Sequence, residues 1–244
     1  MDNKGGIEKT FEDYNRRLRE LLWLHWDIVE DRRCALSQPD PIRQTNFERL
    51  VEGIAIQLAL TWEIFTRDTL LDSILEYADE FNERFIKDPN WKPKQREDVE
   101  KIIVEKIMKI KKPNGYLSFG NTSHLKRKAA VWIDGKNRKK NPFLALDEGL
   151  LQALDRFTTL RNELVHRSSS SRKKFEKEFP GARSPGEYLK REINAAEKPQ
   201  HYNQRYQLGY FIEVFKNSLY EMAKAKSIRL PPWPLESSLY SKRG

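Results

Sequence analysis

The stretch "IAIQLALTWEIF", Ile54 to Phe65, sits inside a helical pattern that runs from Phe47 to about Ile86. Its apolar residues fall on nearly every side of a helix. A surface helix needs one polar face, so this pattern predicts a central buried helix, straight or bent through Gly53, that other helices must surround. The rest of the chain supplies them. Tyr14, Leu18, Leu21, Leu22, His25 and Val29 recur at three- and four-residue steps within residues 8–36. The break "SQPDP" follows, because Pro39 and Pro41 do not fit a helix interior. Pro89 and Pro93 bracket Trp91 in a loop. "QREDVEKIIVEKIMKIKK" then reads as a helix with acids in its first turns and lysines in its last, as the helix dipole prefers.

Residues 113–142 read as a loop with Pro113, Gly115, Gly120, Gly135 and Pro142, with room for a short strand or helix over "AAVWI". Phe143–Arg167 predicts a helix. "SSSS" and a basic run interrupt the chain before "SPGEYLKREINAAE", which opens on a capping pattern: Ser184 at N-cap, Pro185 at N1 and Glu187 at N3. The last helix covers Tyr202–Ala225, and "LPPWP" is extended. No internal repeat is visible. With few β-branched runs, the chain predicts an all-α fold: one domain over 1–244, a bundle of about six to seven helices with a long basic inserted loop at about 111–142.

Apolar residues make up 38% of the chain and are spread along it, which argues against a disordered polypeptide. The lone cysteine, Cys34, excludes an internal disulfide and leaves little for a cysteine zinc site. No His, Cys, Asp and Glu grouping has metal-ligand spacing, and no phosphate-binding glycine loop occurs, so neither a metal nor a cofactor is expected. No run of about 18 apolar residues or signal-like start occurs, so a cytoplasmic protein without a membrane span is expected.

The net charge of +9 is concentrated. Residues 101–144 hold twelve Lys and Arg against two acids, leaving the remainder nearly neutral. Such a surface suits a polyanion, because each phosphate contact releases counterions. Lys126, Arg127, Lys128, Arg138, Lys139, Lys140 and, further on, Arg167 are the candidate RNA contacts. Tyr116, Phe119 and Trp132 are interleaved with them and either stack on unpaired bases or anchor the loop.

"LDRFTTLRNELVHR", residues 154–167, carries the most chemistry. With Leu150 as origin, Leu154, Phe157 and Leu164 define an apolar stripe, and Arg161 falls within it. A guanidinium there must reach the core edge, pair with an acid or meet an anion. Asn162 and His166, four residues apart, share a neighbouring face. Glu63, beside Trp62 in the central helix, is either the partner of Arg161 or part of an unrelated pair. The other histidines compete poorly. His25 reads as a satisfied core residue, His124 as part of the basic loop, and His201 as helix-start surface.

"LRNELVHR" at the end of an amphipathic helix resembles the Arg-Asn-x3-His signature of the HEPN superfamily. "ALTWEIFTRDTLLDSI", with its Trp-Glu pair upstream, resembles the RiboL-PSP-HEPN branch, the likeness covering about residues 45–170. It implies an α-helical, metal-independent endoribonuclease in which Arg161 and His166 are catalytic at a homodimer interface. Asn162 would orient them or touch phosphate, and Glu63 would support. It also implies a toxin or anti-phage setting, with an antitoxin or sensor protein as a further partner. Histidine suits proton transfer near neutrality, and arginine matches phosphate in a bidentate way. One chain supplies one such histidine, so a two-fold axis would bring the second. A guanidinium locked inside an internal ion pair would argue against this chemistry. Two other readings stay open: a HEPN-fold RNA-binding or assembly module without catalysis, and a helical DNA-binding protein using residues 101–144.

Overall fold

Two long helical patterns separated by prolines fold back on each other as α1 (Lys4–Ala35) and α2 (Pro41–Glu76). The computed structural model describes residues 4–35, 41–108, 117, 119, 121–133, 140–193 and 206–233, with backbone alone for 4–5, 29–35 and 41–45. The two helices run antiparallel. Thr10 meets Asp72 at one end, and further along Tyr14 stacks on Phe65 with ring centroids 4.2 Å apart. The predicted face of α1 is the buried one, carrying Tyr14, Leu18, Leu22 and His25.

Tyr77 ends α2, and a short α3 (Ala78–Phe81) runs into a π-helical turn at Asn82–Ile86. Phe81 and Trp91 pack there 5.9 Å apart, which holds the proline loop to the core. Helix α4 (Arg96–Ile102) also widens into a π turn, Ile103–Ile107. The charge-complementary helix predicted from Gln95 onward therefore begins as expected. Lys109, Lys111 and Lys112 lie outside the described residues.

The basic segment is not all loop. Thr122–Trp132 forms an eleven-residue helix, α5. Its spacing supports one: Leu125, Ala129 and Trp132 are buried on one side, and Asn121 caps it by accepting the His124 N–H at 2.8 Å. The glycines and prolines that suggested a loop flank this helix instead of interrupting it. A 3-10 turn at Pro142–Ala145 leads into α6 (Glu148–His166), capped by Asp147.

Past Ser168 the chain returns to the core at once. The serine run opens α7 (Ser169–Glu178) instead of a break, since Ser168 and Ser171 exchange a reciprocal capping box. Helix α8 (Pro185–Leu189) starts at the predicted Ser184 cap but is a single short turn, shorter than "SPGEYLKREINAAE" allowed. Helix α9 (Gln207–Ala225) is apolar on a broad face. Among the described residues there are nine α-helices and no strand, with one isolated antiparallel bridge between Glu192 and Tyr206. The fold is all-α.

The centre of the core is aromatic. Phe157 of α6 meets Phe211 and Phe215 of α9, each at 4.9 Å, and Phe215 meets Trp62 of α2 at 5.2 Å. Full burial of each such ring contributes about 1.5–3 kcal/mol. One departure from expectation matters for function. Helix α2 is not covered all round: Leu50, Leu60 and Ile64 are about half exposed.

Candidate functional site

The RNELVH end of α6 is a shaped corner. The buried stripe of α6 is Leu150, Leu151, Leu154, Phe157, Leu160 and Leu164. It drifts around the helix as it proceeds, so Arg161 stands at its rim. The side chain of Arg161 is 18% exposed, and its Nη2 lies 2.5 Å from Glu63 Oε1 on α2. Its Nη1 donates to Asn162 Oδ1 at 3.0 Å. Glu63 is more open, with 39% of its side chain exposed.

His166 ends the helix one turn later and is exposed. It lies about 140° around the helix from Arg161, and its side chain makes no hydrogen bond, ion pair or ring contact among the described residues. Arg167 then takes a left-handed conformation (φ 44°), and its N–H bonds back to the Glu163 carbonyl at 3.2 Å. That conformation disfavours a residue with a Cβ by about 1–2 kcal/mol. The reverse turn is held by Glu163, which the sequence reading passed over. Its carboxylate is buried, accepts the Ser171 hydroxyl at 2.8 Å and has Arg172 Nη1 at 3.8 Å. A glutamate inside the motif followed by "SSSSR" was the available signal.

Two clefts lie beside the partners of Arg161, which itself lines neither. The first, about 300 Å³, lies between α2 and α5, with Leu60, Glu63, Arg67, Phe119, Leu125 and Thr158 on its walls. The second, about 180 Å³, is polar and includes Asn121, Asp155, Thr159, Asn162, Ser171 and Lys174. Glu63 lines one and Asn162 the other, and Thr158 and Asn121 line both. Arg161 thus bridges a wall of each.

Helix α5 is held beside this wall from two directions. Asp155 Oδ1 accepts the backbone N–H groups of Thr122 (2.9 Å) and Ser123 (3.2 Å). The Trp62 indole donates to Thr122 Oγ1 at 3.3 Å. The predicted RNA contacts divide accordingly. Lys126 is half-buried and donates to the Leu146 carbonyl at 2.6 Å, so its ammonium is committed inside the protein. Arg127, Lys140 and Arg167 are exposed, and Lys128 lies 5.9 Å over the Trp132 ring. Arg138 and Lys139 fall outside the described residues, as do Tyr116 and His201. Trp132 is buried and anchors α5, so it offers no face to a base. Phe119 is only partly covered, resting 6.2 Å from both Trp132 and His124.

His25 is in the core, yet it is not satisfied there. Its Nδ1 is buried without a hydrogen-bond partner among the described residues, and burial pushes its pKa down to about 4. Among the described residues no group of three or more His, Cys, Asp and Glu is placed to hold a metal. No helix among them is long and apolar enough to cross a membrane. Compared with known proteins, the chain matches no family model, no curated protein and no solved structure.

Proposed function

We propose that this chain is a HEPN-type, metal-independent endoribonuclease that works as a homodimer and cleaves RNA by attack of a ribose 2′-OH on the adjacent phosphate. The observation that carries the reading is the state of Arg161. It is held in place by Asn162, in the wall of one cleft, and by Glu63, in the wall of the other, with donors to spare. A guanidinium has five N–H donors, and one bond plus one ion pair leave several for a phosphate. The pair with Glu63 is partly open to solvent, with Glu63 39% and Arg161 18% exposed. Pairs this open stabilise by about 0–1 kcal/mol.

In this reading Arg161 neutralises charge building on the phosphorane, and His166 moves the proton. Attack needs a base at the 2′-OH and an acid at the leaving 5′-oxygen. A second copy of His166 across a two-fold axis supplies the other role. An exposed apolar residue flanks the motif where a partner would sit: Val165, beside His166. Arg127, Lys140 and Arg167 give the approaching RNA an electrostatic guide.

The test is incubation of purified protein with mixed RNA in excess EDTA, beside Arg161→Ala and His166→Ala. Cleavage leaving 2′,3′-cyclic phosphate ends, lost in both variants, is expected. A protein that cleaves RNA while sedimenting as a monomer overturns the shared site. A second reading, an RNA-binding or assembly module without catalysis, is favoured by one observation: Arg161 and His166 do not meet within a chain. RNA binding without cleavage would select it, and a preference for duplex DNA would exclude both.

A further inference from the structure

The first cleft has a composition that the cleavage chemistry does not use. Its volume of about 300 Å³ is at the small end of ligand pockets, which run from roughly 300 to 1,000 Å³. That admits one flat ring system and little more. Its walls are chiefly apolar: Leu60, Leu117 and Leu125, with Phe119 as a partly exposed aromatic side. Trp62, also in the wall, spends its indole N–H on Thr122. Three polar groups with unused capacity face this space. Arg67 gives Nε and Nη2 to Asp68 and keeps Nη1, a donor suited to a ring carbonyl such as guanine O6. Glu63 has one carboxylate oxygen against Arg161 and another to offer. Asn121 accepts the His124 N–H through Oδ1, which leaves its amide N–H groups as donors.

We infer that this cleft is a nucleobase pocket, taking the unpaired base next to the phosphate held at Arg161 and preferring bases with an exocyclic amino group over uracil. An extruded base is read by stacking against aromatic and apolar side chains and by hydrogen bonds along its edge. A carboxylate accepts N–H groups and is repelled by carbonyls. Guanine presents two adjacent N–H donors, and adenine and cytosine present an amino group. Uracil sets its single N–H between two carbonyl oxygens. The shared residue is Glu63: it lines the pocket and pairs with Arg161, which sets the guanidinium beside the pocket wall without making it part of that wall. The inference rests on the ribonuclease reading for the identity of the polymer.

The two separate experimentally. Tetranucleotides carrying 2′-O-methyl groups lack the attacking hydroxyl, so they report binding alone. The full-length protein is titrated, by fluorescence polarisation, with versions whose second position is G, A, C, U or abasic. The abasic ligand should bind about 10-fold more weakly than the G ligand, as loss of one stacked base predicts, and the U ligand several-fold more weakly. Phe119→Ala should remove the difference. Thr158→Met, which fills the cleft from α6, should do the same if Phe119→Ala fails to fold. Equal affinity for base-bearing and abasic ligands overturns the pocket, whatever unmodified RNA does in parallel. Binding that ranks the bases as stated, with no cleavage of unmodified RNA, keeps the pocket and sinks the nuclease.

Discussion

Helix α2 holds two arginines from other helices, and they are held very differently. Near its C-terminal half, Asp72 takes Arg96 of α4 in two bonds, Nε to Oδ1 at 2.6 Å and Nη2 to Oδ2 at 2.7 Å. Asp68 accepts from Nη1 at 2.8 Å, and Thr10 of α1 accepts from Nη2. All three nitrogens are engaged and three helices are tied together. Burial alone would push the Arg96 pKa down, but the bonds and charge of Asp72, with the charge of Asp68, hold it above its usual value. About two turns earlier, Glu63 meets Arg161 with a single oxygen. The first arginine spends four of its five N–H donors on two carboxylates and a hydroxyl, as a clamp between helices does. The second is positioned but unsaturated, and that combination suits ligand binding.

The contrast can be broken from either side. The largest effect expected is on activity: Arg161→Ala should lower RNA cleavage by about 10²–10³-fold while barely moving the urea midpoint. A matching loss of stability would make Arg161 another clamp. Arg96→Ala should do the reverse, costing about 3 kcal/mol of unfolding free energy, because it strands Asp72 at 9% exposure without its cation, while Asp68 keeps Arg67. Residual activity per folded molecule should stay near wild type.

Titration with acid provides a control, since neither arginine changes charge there. His25 has a folded-state pKa of about 4 against 6.5 when unfolded, so the unfolded chain binds the proton first. Stability is full above pH 6.5 and falls as pH drops towards 4, by about 2 kcal/mol at pH 5. His25→Leu should flatten urea-derived stability between pH 7 and 5; an unchanged slope would assign it elsewhere. The smallest effect is that of Glu63→Gln, which should alter stability by no more than about 1 kcal/mol. A larger loss would show that the Arg161 pair is structural after all.

Much of the fold was legible in advance where the signal was local. The buried face of α1, the Ser184 cap and the proline breaks all follow from residues a few positions apart. Two elements were misread for the opposite reason. The glycines around α5 obscured a helix whose N-terminus depends on Asp155 of α6, and "SSSS" looked like a break until Glu163 gave Ser171 a buried acceptor. The expected full burial of α2 failed because apolar periodicity shows which residues favour burial, not which neighbours arrive to cover them. Leu60 and Ile64 therefore stayed partly in water. The basic segment was visible as charge, but Lys126 is consumed by the Leu146 carbonyl, and such a use has no trace in composition.

By itself the amino-acid sequence determined an all-helical protein with a central apolar helix, a concentrated positive charge and an arginine, asparagine and histidine gathered at one helix end. These follow from helical periodicity and side-chain chemistry, which need only near neighbours. Tertiary structure alone decided that Arg161 stands at the rim with a single oxygen of Glu63, while Arg96 is held by Asp72, Asp68 and Thr10. Those outcomes depend on which helices pack together, because an ion pair between distant segments forms only where the burial of other residues has brought their backbones close.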